Sequence, residues 1–108
     1  MAVLIKSGEE IVRRVIDGIT YRVKAKSGNL IVIKSELDPG AETEEYEHEG
    51  EEVRIVLEGQ IDCCVGNMHY TMRAGDVIWH PSSLPHRMKN VGKGRAVYIT
   101  IGTPPTFM

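Results

Sequence analysis

The sequence predicts an all-β domain, a sandwich or small barrel built from short antiparallel strands. Three observations carry that expectation. Runs such as "EEVRIVLE" alternate polar and apolar residues, the period of a strand with one buried face. Glycine-containing breaks recur at close spacing, and 11 of the 108 residues are glycine. Stretches with helical period are scarce, while β-branched residues are frequent. The length suits a single domain over residues 1–108, with no linker, repeat or low-complexity segment.

The elements follow in order. "GEEIVRRVIDG" suits one helical turn or a strand, and its Ile-Val and Val-Ile pairs favour the strand. "GITYRVKAKSG" and "NLIVIKSELDPG" read as two strands joined at Ser27-Gly28-Asn29. "EEVRIVLEG", "QIDCCVGN" and "MHYTMRAGD" follow Gly50. The breaks at Glu58-Gly59, Gly66-Asn67 and Ala74-Gly75-Asp76 carry hairpin-turn chemistry. "VIWHP", "PHRMKNVGKG" and "RAVYITIG" complete the set.

Composition narrows the function classes. Thirteen Lys and Arg against 15 Asp and Glu leave a net charge of −2, with no basic excess to hold nucleic acid. The apolar run in "MAVLIKSGEE" is too short for a signal-peptide core or a membrane span, so the expectation is a soluble, cytoplasmic protein. Cys63 and Cys64 are adjacent, so on a strand they face opposite ways and read as reduced, packed thiols.

The stretch "EEYEHEGEEVRIVLEG" surrounds one histidine with carboxylates. Tyr46 and His48 are two apart and point the same way on a strand. Glu52, Arg54 and Val56 then share one face, and Val53, Ile55 and Leu57 the other. Farther on, His86 follows Pro85. Two imidazoles and a carboxylate from separate strands suit a divalent transition metal (Zn, Fe, Ni or Mn rather than Ca or Mg) and match the ligand set of non-haem iron oxygenases.

Two motifs carry a family resemblance. Gly40, Tyr46, Glu47, His48, Glu52 and Gly59 fall in the spacing of the first cupin motif, over residues 40–59. Gly75, Pro81, His86 and Asn90 fall in that of the second, over 75–90. The chain thus resembles a small single-domain cupin. That resemblance implies a double-stranded β-helix, or jelly-roll, barrel, with His48, Glu52 and His86 as metal ligands in its mouth. The first motif usually has a His where this chain has Tyr46, and the second a Gly where it has Ser83. Tyr46 is therefore a further candidate, as a phenolate ligand or as a hydroxyl that grips a bound molecule. "YEHEGEE", "SSLPHR" and the tail "GTPPTF" also resemble the ligand-sensing cupin half of helix-turn-helix regulators. The expectation is a sensor-like cupin without the DNA-binding half.

Other residues divide less sharply. Arg54 reads equally as a clamp for a carboxylate or phosphate ligand and as an ion-pair partner of Glu52 or Glu58. Met88 shares the parity of His86 and reads as an apolar pocket wall, with Trp79 lining or packing the barrel and Tyr98 on an uncertain face. His69 and His80 lie outside the motif positions and read as structural or exposed. The glutamates at 42, 44, 45, 47, 49 and 51 read as solvated loop charges. The apolar row Val53, Ile55 and Leu57 needs a cover, either a partner subunit or the N-terminal "AVLI" as a strand, which favours a homodimer. The function expected is a cupin that binds a small molecule through a metal, with catalysis open. A ligand-sensing module without chemistry is the alternative, and a metal-free structural module ranks last.

Overall fold

The computed structural model describes residues 1–106; Phe107, the end of the tail motif, and Met108 lie outside the described residues. The described chain is all-β and runs through β1 (Val12–Ile16), β2 (Ile19–Lys26), β3 (Ile31–Leu37), β4 (Glu51–Glu58), β5 (Gln60–Val65), β6 (Met68–Arg73), β7 (Val77–Pro81), β8 (His86–Asn90) and β9 (Ala96–Thr103). "VRRVI" is a strand, as its β-branched pairs favour. One sheet has the order β1-β2-β3-β9-β4-β7 and the other β6-β5-β8. Neighbouring strands are antiparallel in both.

The segment 40–48 extends the smaller sheet irregularly. Tyr46 and His86 exchange both backbone hydrogen bonds at 2.9 Å, and Thr43 N donates to Met88 O at 2.9 Å. This tethers the loop bearing Tyr46 and His48 to β8, the strand that bears His86.

Register stacks the inward side chains in rows. Ile19, Leu37 and Ala96 form one apolar row. Tyr21, Ser35, Tyr98 and Val56 form the next. Val23, Ile33, Thr100, Arg54 and Ile78 form a third, in which the first charged group appears. Glu52 and His80 lie opposite each other beyond it. The core is therefore apolar at one end and ionisable at the other, with Ile61, Cys63, Met72 and Met88 closing it from the smaller sheet.

Four sequence expectations need correction. Glu58-Gly59 and Ala74-Gly75-Asp76 are not hairpin turns, because each joins a strand of one sheet to a strand of the other. Of the three breaks, only Gly66-Asn67 closes a hairpin, with Val65 opposite Met68. Trp79 does not line the barrel; it is 58% exposed, and its indole N–H donates to Glu51 Oε1 at 2.8 Å. The N-terminal "AVLI" forms no strand, and Val3 and Leu4 are largely exposed.

Candidate metal centre

Alternation on β4 turns Glu52 and Arg54 inward together, both buried. Burying a carboxylate is costly unless its oxygens are paired, and Glu52 has a partner on each. Its Oε1 accepts from Arg54 Nη2 at 3.0 Å. Its Oε2 accepts from Ser82 Oγ at 3.0 Å and lies 3.0 Å from His86 Nε2, 3.5 Å from His48 Nε2 and 3.9 Å from His80 Nε2. Burial alone pushes the Glu52 carboxyl up. The His86 hydrogen bond, the Arg54 charge and the Ser82 hydroxyl outweigh it and hold the group at about 2. Glu52 is a carboxylate at neutral pH.

Each neighbouring imidazole is oriented by a backbone carbonyl. His86 Nδ1–H donates to Leu84 O at 2.7 Å, His48 Nδ1–H to Glu49 O at 3.1 Å, and His80 Nδ1–H to Pro81 O at 2.8 Å. A ring held by a carbonyl at Nδ1 turns Nε2 toward the ligand position, the usual arrangement of metal-binding histidines, and a metal at that position would take the place of the proton that His86 Nε2 shares with Glu52. The rings of His48 and His86 meet edge to face with centroids 5.3 Å apart.

His48, Glu52 and His86 each present one ligand atom, and the three atoms lie within 4.8 Å of one another. This group could hold a metal ion. Two imidazoles and an ionised carboxylate fit a divalent transition metal with open coordination positions.

The group sits on the wall of a cavity of about 150 Å³. Tyr21, Tyr46, Tyr98, Arg54, Met88 and Thr100 share that wall. Met88 is its buried apolar part. Tyr46 stands half exposed at the mouth, and its hydroxyl hydrogen-bonds with that of Tyr21. Burial raises the Tyr98 phenol to about 12, so it stays protonated. The glutamates at 42, 44, 45, 47, 49 and 51 are exposed.

His80 was missed by reasoning from the motifs. It is 3% exposed, and its Nε2 accepts a short hydrogen bond from Arg54 Nη1. Burial pushes its pKa down and the Arg54 charge adds to this, against the Pro81 carbonyl; it is the neutral acceptor that the guanidinium needs. The signal was present in "VIWHP", where Ile78 and His80 share the face opposite exposed Trp79. Ser82 was missed as well, since nothing in a lone serine announces a carboxylate partner thirty residues away.

A cupin-domain family model matches residues 33–102, most of the chain. The protein belongs to the cupin family. An uncharacterized protein of Archaeoglobus fulgidus is 35% identical to this cupin over 60 residues, 56% of this chain and 57% of that one. The HTH-type transcriptional regulator PuuR of Escherichia coli is 34% identical over 79 residues, 72% of this chain and 43% of the regulator. The cupin thus spans about half the length of the curated relatives it matches. The structure of KdgF from Halomonas superposes with a TM-score of 0.85 at 18% identity, over 94% of each chain, and establishes the jelly-roll fold. Among the described residues no helix is long and apolar enough to cross a membrane.

Proposed function

We propose that this cupin binds a small oxygen-bearing molecule in its cavity through a divalent transition metal held by His48, Glu52 and His86. The observation that carries the reading is the convergence of those three ligand atoms within 4.8 Å on the cavity wall. When bound, the metal supplies a Lewis acid with positions open to a ligand oxygen.

The chain's own residues do the rest. Arg54 fixes one Glu52 oxygen and turns the other toward the imidazoles. Glu52 offsets the Arg54 charge, so a bound divalent ion would leave the cavity wall net positive, which suits a carboxylate on the bound molecule. Tyr46, at the mouth, offers a hydroxyl to the same molecule, and Met88 packs against its apolar part. The tests are elemental analysis after incubation with Zn, Mn, Ni or anaerobic Fe(II). Close to one equivalent in the wild type, lost in His48→Ala and His86→Ala, is the expected result; no metal in the wild type sinks the reading.

A second reading is favoured by the similarity to a regulator over 72% of the chain. In it the same pocket senses a ligand without transforming it. Ligand would then raise the melting temperature with concentration while no product forms.

We further propose that the protein is a homodimer. The apolar row Val53, Ile55 and Leu57 does face away from the core, and no segment of the described chain lies over it as a strand.

A further inference from the structure

The outer face of the three-stranded sheet holds a second group of reactive side chains, away from the cavity. β5 is the central strand. Cys63 points into the core and is fully buried, and burial pushes its thiol up to about 11. Cys64 and Asp62 point the other way. In register, Cys64 lies opposite His69 on β6 and opposite Arg87 on β8. Directly opposite residues share a face and touch.

The contacts form a line. His69 Nε2 is 3.8 Å from Cys64 Sγ, and His69 Nδ1 is 3.5 Å from Asp62 Oδ2. Carboxylate and thiol use opposite nitrogens of one ring. That is the order of orienter, base and nucleophile, and it is unlike a chelate, in which ligand atoms converge on one point. Three cations stand on this face: Arg87 opposite Cys64, Lys89 between Asp62 and Glu42, and Arg73 opposite Gln60, so Arg87 is the one beside the thiol. Cys64 is 9% exposed, while the His69 side chain beside it is 61% exposed.

We propose that Cys64 is a nucleophilic thiol that exchanges with anionic low-molecular-weight disulfides, with His69 as its base. His69 Nε2, nearer the thiol than its other acceptor Gly66 O, takes the Cys64 proton, and the Asp62 carboxylate 3.5 Å from Nδ1 favours the imidazolium that forms. Sγ then attacks one sulfur of the disulfide. A new S–S bond forms as the old one breaks, and the departing thiolate recovers the proton from His69. One disulfide replaces another, and Cys64 is left as a mixed disulfide. Arg87 attracts the anionic reactant to this face.

Oxidised glutathione is the probe, with the full chain at pH 7 and adducts read by intact mass and peptide mapping. One adduct should form at Cys64 and none at Cys63. The rate should fall at least about tenfold in His69→Gln, which removes the base. Arg87→Gln should slow glutathione addition but leave uncharged iodoacetamide reacting at the wild-type rate. Both substitutions are at the surface, and unchanged melting curves show that the fold is kept. Wild-type rates in His69→Gln, or an adduct only under denaturant, would overturn the proposal.

Discussion

At the scale of single residues, the cavity is organised around one carboxylate. Glu52 titrates at about 2, well below its ordinary 4.5. Its interactions therefore add stability above pH 4.5 that is lost as the pH falls toward 2. For metal-free protein, urea midpoints should decline across that window, and Glu52→Gln should flatten the decline. The variant should also be less stable at pH 7, because buried Arg54 loses its counter-charge. His80 is a positioning residue, since it reaches Glu52 chiefly through Arg54. His80→Phe should weaken metal binding about ten- to a hundredfold, the usual cost of losing a residue that orients a ligand. His80→Gln, which keeps an acceptor for Arg54, should restore most of it. Isothermal titration with Zn reads both; equal affinity in wild type and His80→Phe would remove the role. Parity along β4 and the motif spacing made Glu52, Arg54, His48 and His86 legible in the sequence. Parity in "VIWHP" puts His80 on one face with Ile78, but its role beside Arg54 was not legible, because that depends on the pairing of β7 with β4, and the register is a tertiary fact.

At the scale of elements, the strands were legible and several of their connections were not. Alternation identifies a strand by local physics, whether or not its neighbour is known. A glycine turn reports only that the chain bends. Gly66 bends it back along the same sheet, while Gly59 and Gly75 carry it into the other one. Gly50 shows what such a position demands. Its φ is +96°, and a Cβ there would lie 2.0 Å from Thr103 O. It also separates His48 from Glu52, and its carbonyl accepts from Ser82 N at 2.8 Å. Gly50→Ala must move backbone on both sides. The expected loss is at least about 1–3 kcal/mol in denaturant unfolding, with weakened metal binding beside it. A variant that kept full stability would mean that this loop adapts freely and does not fix the ligand spacing.

At the scale of the whole molecule, the outer face of the larger sheet sets the last expectation. Register lines up Trp79, Val53, Ile101 and Val32 across β7, β4, β9 and β3, and Val77, Ile55 and Ile99 form the row beside it. These side chains face away from the core, and Trp79 and Val77 are 58% and 61% exposed. A contiguous apolar face of this kind is unusual on a monomer. The N-terminal segment forms no strand over it, and Glu51, at its edge, accepts from Trp79. A second copy of the chain is the simplest cover, because an apolar sheet face meeting its own image needs no complementary charge. Light scattering should then give about twice the 12.0 kDa chain mass. Ile55 sits at the middle of its row and is only partly exposed, so Ile55→Asp would place a charge at the centre of the interface. That variant should run as a monomer while keeping its metal, since the ligands point to the other side of β4. A wild type of single-chain mass, or an Ile55→Asp protein still of double mass, would mean that this face is not where two copies meet.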